Sequence, residues 1–203
     1  MVPDYFDLKL AFSIAAFVVV VVAYIPYVRD MFAGRTKPHA YTWLIWTVTL
    51  AIAAAGLWYG GGGYAAINLT AVTVFTGGIF LLSFRYGTKN VTQGDAVLLA
   101  LALVAVIPWT ILKDPTFSVI MVTVIDVAGY WPSIRKSYKE PWSEYLPTWY
   151  LFTLSALFLI FALDRYNLLT MIYIGATIAA NLALIGTCIV RRRVIAKPAL
   201  IKP

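Results

Sequence analysis

Apolar residues occur in long uninterrupted runs along this chain, and short clusters of charged residues separate the runs. A helix that crosses a membrane needs about 20 predominantly apolar residues, whereas a barrel strand needs about half that number. The runs have the longer length, so the pattern predicts an all-α membrane protein with seven spanning helices. The expected spans are residues 8–28, 40–58, 64–84, 95–112, 116–133, 145–163 and 167–190.

Composition supports this class, since hydrophobic residues make up 62% of the chain and charged residues only 12%. The net charge of +7 is attributed to loop orientation in the membrane, so lipids are expected partners and nucleic acid is not. The single cysteine, Cys188, excludes a disulfide framework within the chain. With His39 as the lone histidine, neither a metal site nor a cofactor is expected.

The distribution of Lys and Arg predicts the orientation of the spans. Thirteen of these residues follow spans one, three, five and seven, and three lie on the opposite side. Basic residues favour the cytoplasmic side, which places the N-terminus outside and the C-terminus in the cytoplasm. We expect the membrane to be a bacterial plasma membrane. The first apolar run has no basic region before it, so it is predicted to be a retained span and not a cleaved signal peptide.

An internal repeat organises the chain. The string YIPYVR at 24–29 returns 106 residues later as YWPSIR at 130–135, and Thr42 and Trp43 return as Thr148 and Trp149. Two copies of three spans would lie inverted if joined directly, and span four restores their parallel orientation. The predicted units are a first repeat at 8–86, a linker helix at 94–113, a second repeat at 115–193 and a cytoplasmic tail at 194–203.

These features resemble the PQ-loop and SWEET transporter superfamily, over residues 8–193. The resemblance lies in the 3+1+3 span count, the outside N-terminus and the proline repeated near the end of each copy's first span, Pro26 and Pro132. Tyr27 and Ser133 stand where the family usually has glutamine after that proline. The nicotinamide riboside transporters share the 3+1+3 plan and are a related group. The resemblance implies movement of a small polar solute, sugar-like or vitamin-like, as the two halves rock.

The resemblance also implies that the repeated prolines act as hinges, since proline in a helix removes a hydrogen bond and kinks it. Pro26 and Pro132 are the candidates, together with Pro147 near the start of span six. The alternative for each is an ordinary helix end. Replacing the first two by alanine is expected to reduce transport more than expression.

Asp126 is the only acidic residue deep inside a predicted span. A carboxylate in a bilayer usually faces a cavity or a partner, so Asp126 is the candidate for proton coupling or for substrate binding. The alternative is a structural carboxyl that is hydrogen-bonded between helices. Tyr130 lies one helical turn further along and shares its face.

The candidate substrate-binding residues form two groups. Asn181 and Thr177 lie on a polar face of span seven, and an amide can both donate to and accept from a polar ligand. Asn68 in span three is a less central counterpart. Trp46 and Phe152 are candidates for stacking on a ring, one turn deeper than Trp43 and Trp149, which are interpreted as aromatic-belt residues.

Other functional classes have less support from the residues. A seven-helix receptor or sorting protein of the same plan is the alternative, and it would need a strongly charged outside-facing cavity. An enzyme is not expected, because the spans lack Ser/His, His/His and paired-carboxylate sets. Span seven has no Lys for a retinal Schiff base. Association of several copies of the chain is left open.

Overall fold

The computed structural model describes residues 8–34, 38–87, 93–144 and 146–196. These residues fold into eight α-helices and one 3₁₀ turn (Pro141–Ser143), with no β-strand among them. The helices are α1 (Leu8–Phe32), α2 (Ala40–Tyr59), α3 (Tyr64–Tyr86), α4 (Gln93–Val104), α5 (Val106–Leu112), α6 (Thr116–Lys139), α7 (Leu146–Phe161) and α8 (Leu168–Val194).

Four of these helices, α1, α2, α3 and α8, are long and apolar enough to cross a membrane by length and composition. The shorter apolar helical stretches are Ala96–Leu112, Thr116–Trp131 and Leu146–Phe161. The protein is therefore all-helical in its described part, and its apolar helices fit an integral membrane protein.

Two helices continue past the apolar runs that predicted them. α1 extends six residues beyond Pro26, and α6 extends to Lys139 although its apolar run was expected to end at 133. Backbone hydrogen bonding does not stop where hydropathy falls, so polar residues such as Arg29 and Asp30 still belong to the helix. The repeated prolines consequently lie inside helices and not at their ends.

The fourth apolar run forms two helices instead of one, because α4 ends at Val104 and α5 begins at Val106. Pro108 explains the break. It has no N–H to donate to the carbonyl of Val104, four residues earlier, so the hydrogen-bond ladder is interrupted there. Most of the large side chains in this run are exposed, with Ala102 and Ala105 buried.

The helices pack in the same arrangement twice. α3 packs against both α1 and α2, and α8 packs against both α6 and α7. We call α1–α3 the first half and α6–α8 the second half. The halves meet where α1 packs on α7 and α2 packs on α6. Helix positions also follow the 106-residue offset to within a few residues, which relates α1 to α6, α2 to α7 and α3 to α8.

The halves are joined at the end where α2 turns into α3 and α7 turns into α8. Asn167 Nδ2 donates to the Gly60 carbonyl at 2.7 Å, and Lys9 Nζ lies 2.9 Å from Asp164 Oδ1. Gly63 has φ +58°, and a Cβ there would collide with the Asp164 carboxyl, so this close approach requires glycine. We call this the closed end, formed by residues 60–63 and 162–167. Below it a buried apolar cluster contains Leu57, Leu69, Leu163 and Ile174.

At the opposite end, two arginines of α8 bind the last turn of α6 and the segment that follows it. Arg191 Nε donates to the Tyr138 carbonyl at 2.7 Å. Arg192 donates to the carbonyls of Pro141 and Glu144 at 3.0 and 2.8 Å. These two side chains therefore organise a loop, whereas Arg193 is exposed.

Candidate functional site

A cavity of about 390 Å³ lies between the two halves. Every helix of both halves contributes to its wall, whereas α4 and α5 do not. One contribution from each helix in chain order is Val20, Trp46, Asn68, Asp126, Phe152 and Asn181. The cavity is thus a property of the interface between the halves and not of either half alone.

The lining follows the internal repeat. Positions that are 106 residues apart face the same space from opposite halves, although the side chains at those positions often differ. Such pairs are Val20 with Asp126, Tyr24 with Tyr130, Trp46 with Phe152, Leu50 with Ala156 and Asn68 with Ile174. The cavity therefore lies where the two copies of the repeat face one another.

All of the residues proposed from the sequence to bind a solute or a proton line this cavity. They come from five helices and are Trp46, Asn68, Asp126, Tyr130, Phe152, Thr177 and Asn181. The structure thus brings them together around one space. Their contact with a solute stays a prediction.

Two hydrogen bonds connect α6 to α8 across the cavity wall. The hydroxyl of Tyr173 donates to Asp126 Oδ2. The hydroxyl of Tyr130 donates to Asn181 Oδ1 at 2.9 Å. Both acceptors were predicted site residues, and both donors are tyrosines of the facing helix. These two hydrogen bonds fix the orientation of the Asp126 carboxyl and the Asn181 amide.

Each of these two acceptor groups keeps one buried polar atom without a partner. Asp126 Oδ1 and Asn181 Nδ2 have no hydrogen bond within the described part of the chain, and the Asn181 side chain is fully buried. Thr49 lies within hydrogen-bonding reach of Asp126, but its hydroxyl is aligned with the Trp46 carbonyl at 3.2 Å and donates there. A buried polar atom left unsatisfied costs about 1–3 kcal/mol. Both residues border the cavity.

Aromatic rings form another part of the wall, in a pattern that also repeats. In the first half the ring of Trp43 lies 5.9 Å from that of Tyr24 and 5.2 Å from that of Trp46. The equivalent contacts in the second half are Tyr130–Trp149 at 5.7 Å and Trp149–Phe152 at 6.0 Å. Tyr24 and Phe152, 5.2 Å apart, join the two sets across the interface.

The interpretation of Trp43 as an aromatic-belt residue is wrong. Its side chain is only 3% exposed, and its Nε1 donates to the Tyr27 hydroxyl at 3.0 Å. A belt residue faces the membrane interface, whereas Trp43 packs inside the first half. Trp149 is half-buried, lines the cavity and points its Nε1 at Glu144 at 3.3 Å. Both tryptophans support the cavity wall.

Asn68 and Ser155 tie α1 to its neighbours at the cavity. Asn68 Nδ2 donates to the Ser13 carbonyl at 2.6 Å, which joins α3 to α1. Ser155 Oγ donates to the Ala16 carbonyl at 2.8 Å, which joins α7 to α1 across the halves. The Asn68 Nδ2 is therefore already hydrogen-bonded between helices, whereas the Asn181 Nδ2 has no partner in the described part of the chain.

The polar face predicted for span seven divides into parts with separate roles. Thr170 completes a capping box with Asn167 at the start of α8, and Cys188 is buried in an apolar cluster. Only the middle of the face, Tyr173, Thr177 and Asn181, borders the cavity. Helical spacing identified the face but not its division along the helix.

Tyr24 was not proposed as a site residue from the sequence. It lines the cavity, and its ring contacts both halves. The signal was present, because Tyr24 is the repeat equivalent of Tyr130, which was proposed. Repeat symmetry could therefore have extended the predicted site.

Pro26 and Pro147 are not among the described residues that line the cavity. Pro26 is exposed within α1, and Pro132 belongs to α6. Pro147 is the second residue of α7, in the first turn, where a missing N–H interrupts no hydrogen bond within the helix. Its position is that of an ordinary helix start.

Within the described ranges, no group of three or more His, Cys, Asp or Glu side chains could hold a metal ion. Comparisons with protein-family models, curated proteins and solved structures each gave no match to this chain. The functional conclusion therefore follows from the residues and the geometry of the cavity.

Proposed function

We propose that the protein is a membrane transporter that moves a small polar solute, sugar-like or vitamin-like, by alternating access between its two halves. The observation that supports this most directly is the cavity between the halves, lined by repeat-equivalent positions. Transporters built from parallel repeats bind their substrates near the bilayer midplane at the repeat interface. A PQ-loop or SWEET-like plan is part of the proposal.

In this proposal the seven spans are α1–α3, the pair α4/α5 as one linker, and α6–α8. The apolar stretches of α6 and α7 are shorter than those of α1 and α2, their repeat partners, which are long and apolar enough to span a membrane. The basic loops face the cytoplasm of a bacterial plasma membrane and the closed end faces outward. The contacts at the closed end then shut the outer side while the cavity persists deeper between the halves.

A receptor or sorting protein of the same plan is the second candidate, and the cavity favours it less. Recognition of a protein segment at such a site would need several charged groups. Within the described part of the chain, Asp126 is the only charged residue that lines the cavity. A small cavity with few, well-placed polar groups suits a small molecule.

The two repeated prolines are proposed as hinges, and their substitution gives a first test. Pro26→Ala and Pro132→Ala restore a backbone N–H in the middle of α1 and α6, which should straighten each helix and hinder rocking. We expect the double variant to retain expression and lose about tenfold or more of its transport rate. Pro108→Ala, in the linker, is the matched control. Unchanged transport in the double variant would refute the hinge role.

The proposed function is tested directly by uptake into proteoliposomes. Purified protein would be reconstituted and supplied in turn with labelled sugars, nucleosides, vitamins, amino acids and amines. We expect saturable uptake of one of these classes that empty liposomes lack. Reconstituted, folded protein that carries none of these classes would count against the proposal.

A further inference from the structure

We propose that the cavity recognises an organic cation, namely an amine that also carries a flat ring and a neutral oxygen acceptor. This inference adds a substrate class to the proposed function. Transport of the cation rests on that function, whereas binding of the cation does not. Three features of the cavity support it: its charge, its unpaired polar atoms and its rings.

The described residues of the cavity wall include an acidic side chain but no basic one. Among the residues that the structure describes, Asp126 is the only carboxyl in the lining, and no Lys, Arg or His belongs to it. The titratable groups that surround it are the phenols of Tyr24 from α1, Tyr130 from α6 itself and Tyr173 from α8. Thr49 is the neighbour from α2. None of these is a cation, and a carboxylate in a membrane interior usually pairs with one.

The two unpaired atoms, Asp126 Oδ1 and Asn181 Nδ2, indicate which groups the ligand carries. Asp126 Oδ1 can only accept, so it requires an N–H or O–H donor, and an ammonium group also balances the charge. Asn181 Nδ2 can only donate, so it requires an acceptor such as a hydroxyl or carbonyl oxygen. A ligand with both groups would satisfy both atoms at once.

The rings suit the same ligand. Trp46, Trp149 and Phe152 line the cavity together with Tyr24 and Tyr130. Ring faces attract a cation and can also stack on a flat ring. A purely aliphatic sugar would use these faces less fully than an aromatic amine would.

Three probes with the same phenol ring isolate the contribution of charge. Tyramine carries an ammonium group, tyrosol carries a hydroxyl in its place, and 4-hydroxyphenylacetate carries a carboxylate. Binding to the purified wild-type protein would be measured by calorimetry, with thermal stabilisation as a second readout. We expect tyramine to bind at least tenfold more tightly than tyrosol and the anion not to bind. Equal binding of tyramine and tyrosol, or no binding of tyramine, would overturn the inference.

Variants then locate the source of the selectivity. Asp126→Asn should lose the preference for tyramine over tyrosol, and Asp126→Glu should keep it. Asp164→Asn, an acid at the closed end outside the cavity, is the matched control and should behave as wild type. An Asp126→Asn protein that elutes as a folded monodisperse species and still prefers tyramine would also refute the proposal. If that variant does not fold, the probe series on the wild type and on Asp126→Glu still tests the proposal.

Uptake of labelled tyramine into proteoliposomes separates this inference from the proposed function. Charge-selective binding without uptake would support the cation site and contradict transport of this ligand. Saturable uptake of a neutral sugar, without tyramine binding, would support transport and contradict the cation site.

Discussion

Oxidation of the double variant Gly60→Cys/Leu169→Cys should abolish transport, and reduction should restore it. A Cβ on Gly60 would lie 3.1 Å from the Leu169 Cβ, shorter than the 3.5–4.5 Å of a disulfide, and 2.9 Å from the Thr170 methyl, so the two helix ends must move slightly apart for the bond to form. Gly60 has φ −75°, which cysteine adopts without strain. Gly60 belongs to the first half and Leu169 to the second, so the bond would lock the closed end. Alternating access requires that end to open.

The background for this experiment is Cys188→Ala, which removes the native thiol of the chain. Cys188 is fully buried beside Leu146 and Ile185, and its loss should leave transport near the wild-type rate. Each single cysteine variant is a matched control that oxidation should not affect. Uptake would be measured in proteoliposomes before oxidation, after it and after addition of a reductant. Undiminished uptake by a fully cross-linked sample would contradict alternating access at this end.

Asp126→Asn should also flatten the pH profile of whatever uptake remains. In the wild type a proton and a cationic solute compete for one carboxylate, so uptake should increase as pH rises through the titration of that carboxyl. The other titratable groups facing it are the tyrosines at 24, 130 and 173, whose ordinary pKa lies near 10. They stay neutral over pH 5 to 8. The amide has no proton to exchange there, so the variant should show no trend.

Initial rates of uptake at a series of external pH values would measure this effect. Asp126→Glu should retain a pH-dependent rate, and Asp164→Asn should keep the wild-type pH dependence, whatever its absolute rate, because its side chain does not line the cavity. A profile for Asp126→Asn that matches the wild type would remove this residue from any coupling role. A wild-type rate that falls as pH rises would instead indicate that the proton and the solute move together.

The hydropathy pattern determined most of the helices, since burying about 20 apolar residues in lipid demands a helix of that length. The repeat, visible in YIPYVR and YWPSIR, anticipated the two matching halves. Asp126 and Asn181 stood out because they differ from their repeat equivalents, Val20 and Phe75, and because polar groups inside a span are costly. These conclusions needed only local composition and spacing.

The tertiary structure decided which groups meet. Helical spacing shows which face of a helix is polar but not which neighbour covers it, so the Tyr173–Asp126 and Tyr130–Asn181 pairs could not be derived from the chain alone. The inward packing of Trp43 could not be derived from the chain alone either, because hydropathy does not distinguish a buried ring from one at the membrane interface. The sequence by itself determined the helices, their repeat and the unusual polar residues. Only the packing of the two halves brought these residues around one cavity, because contacts between distant helices depend on how their surfaces fit.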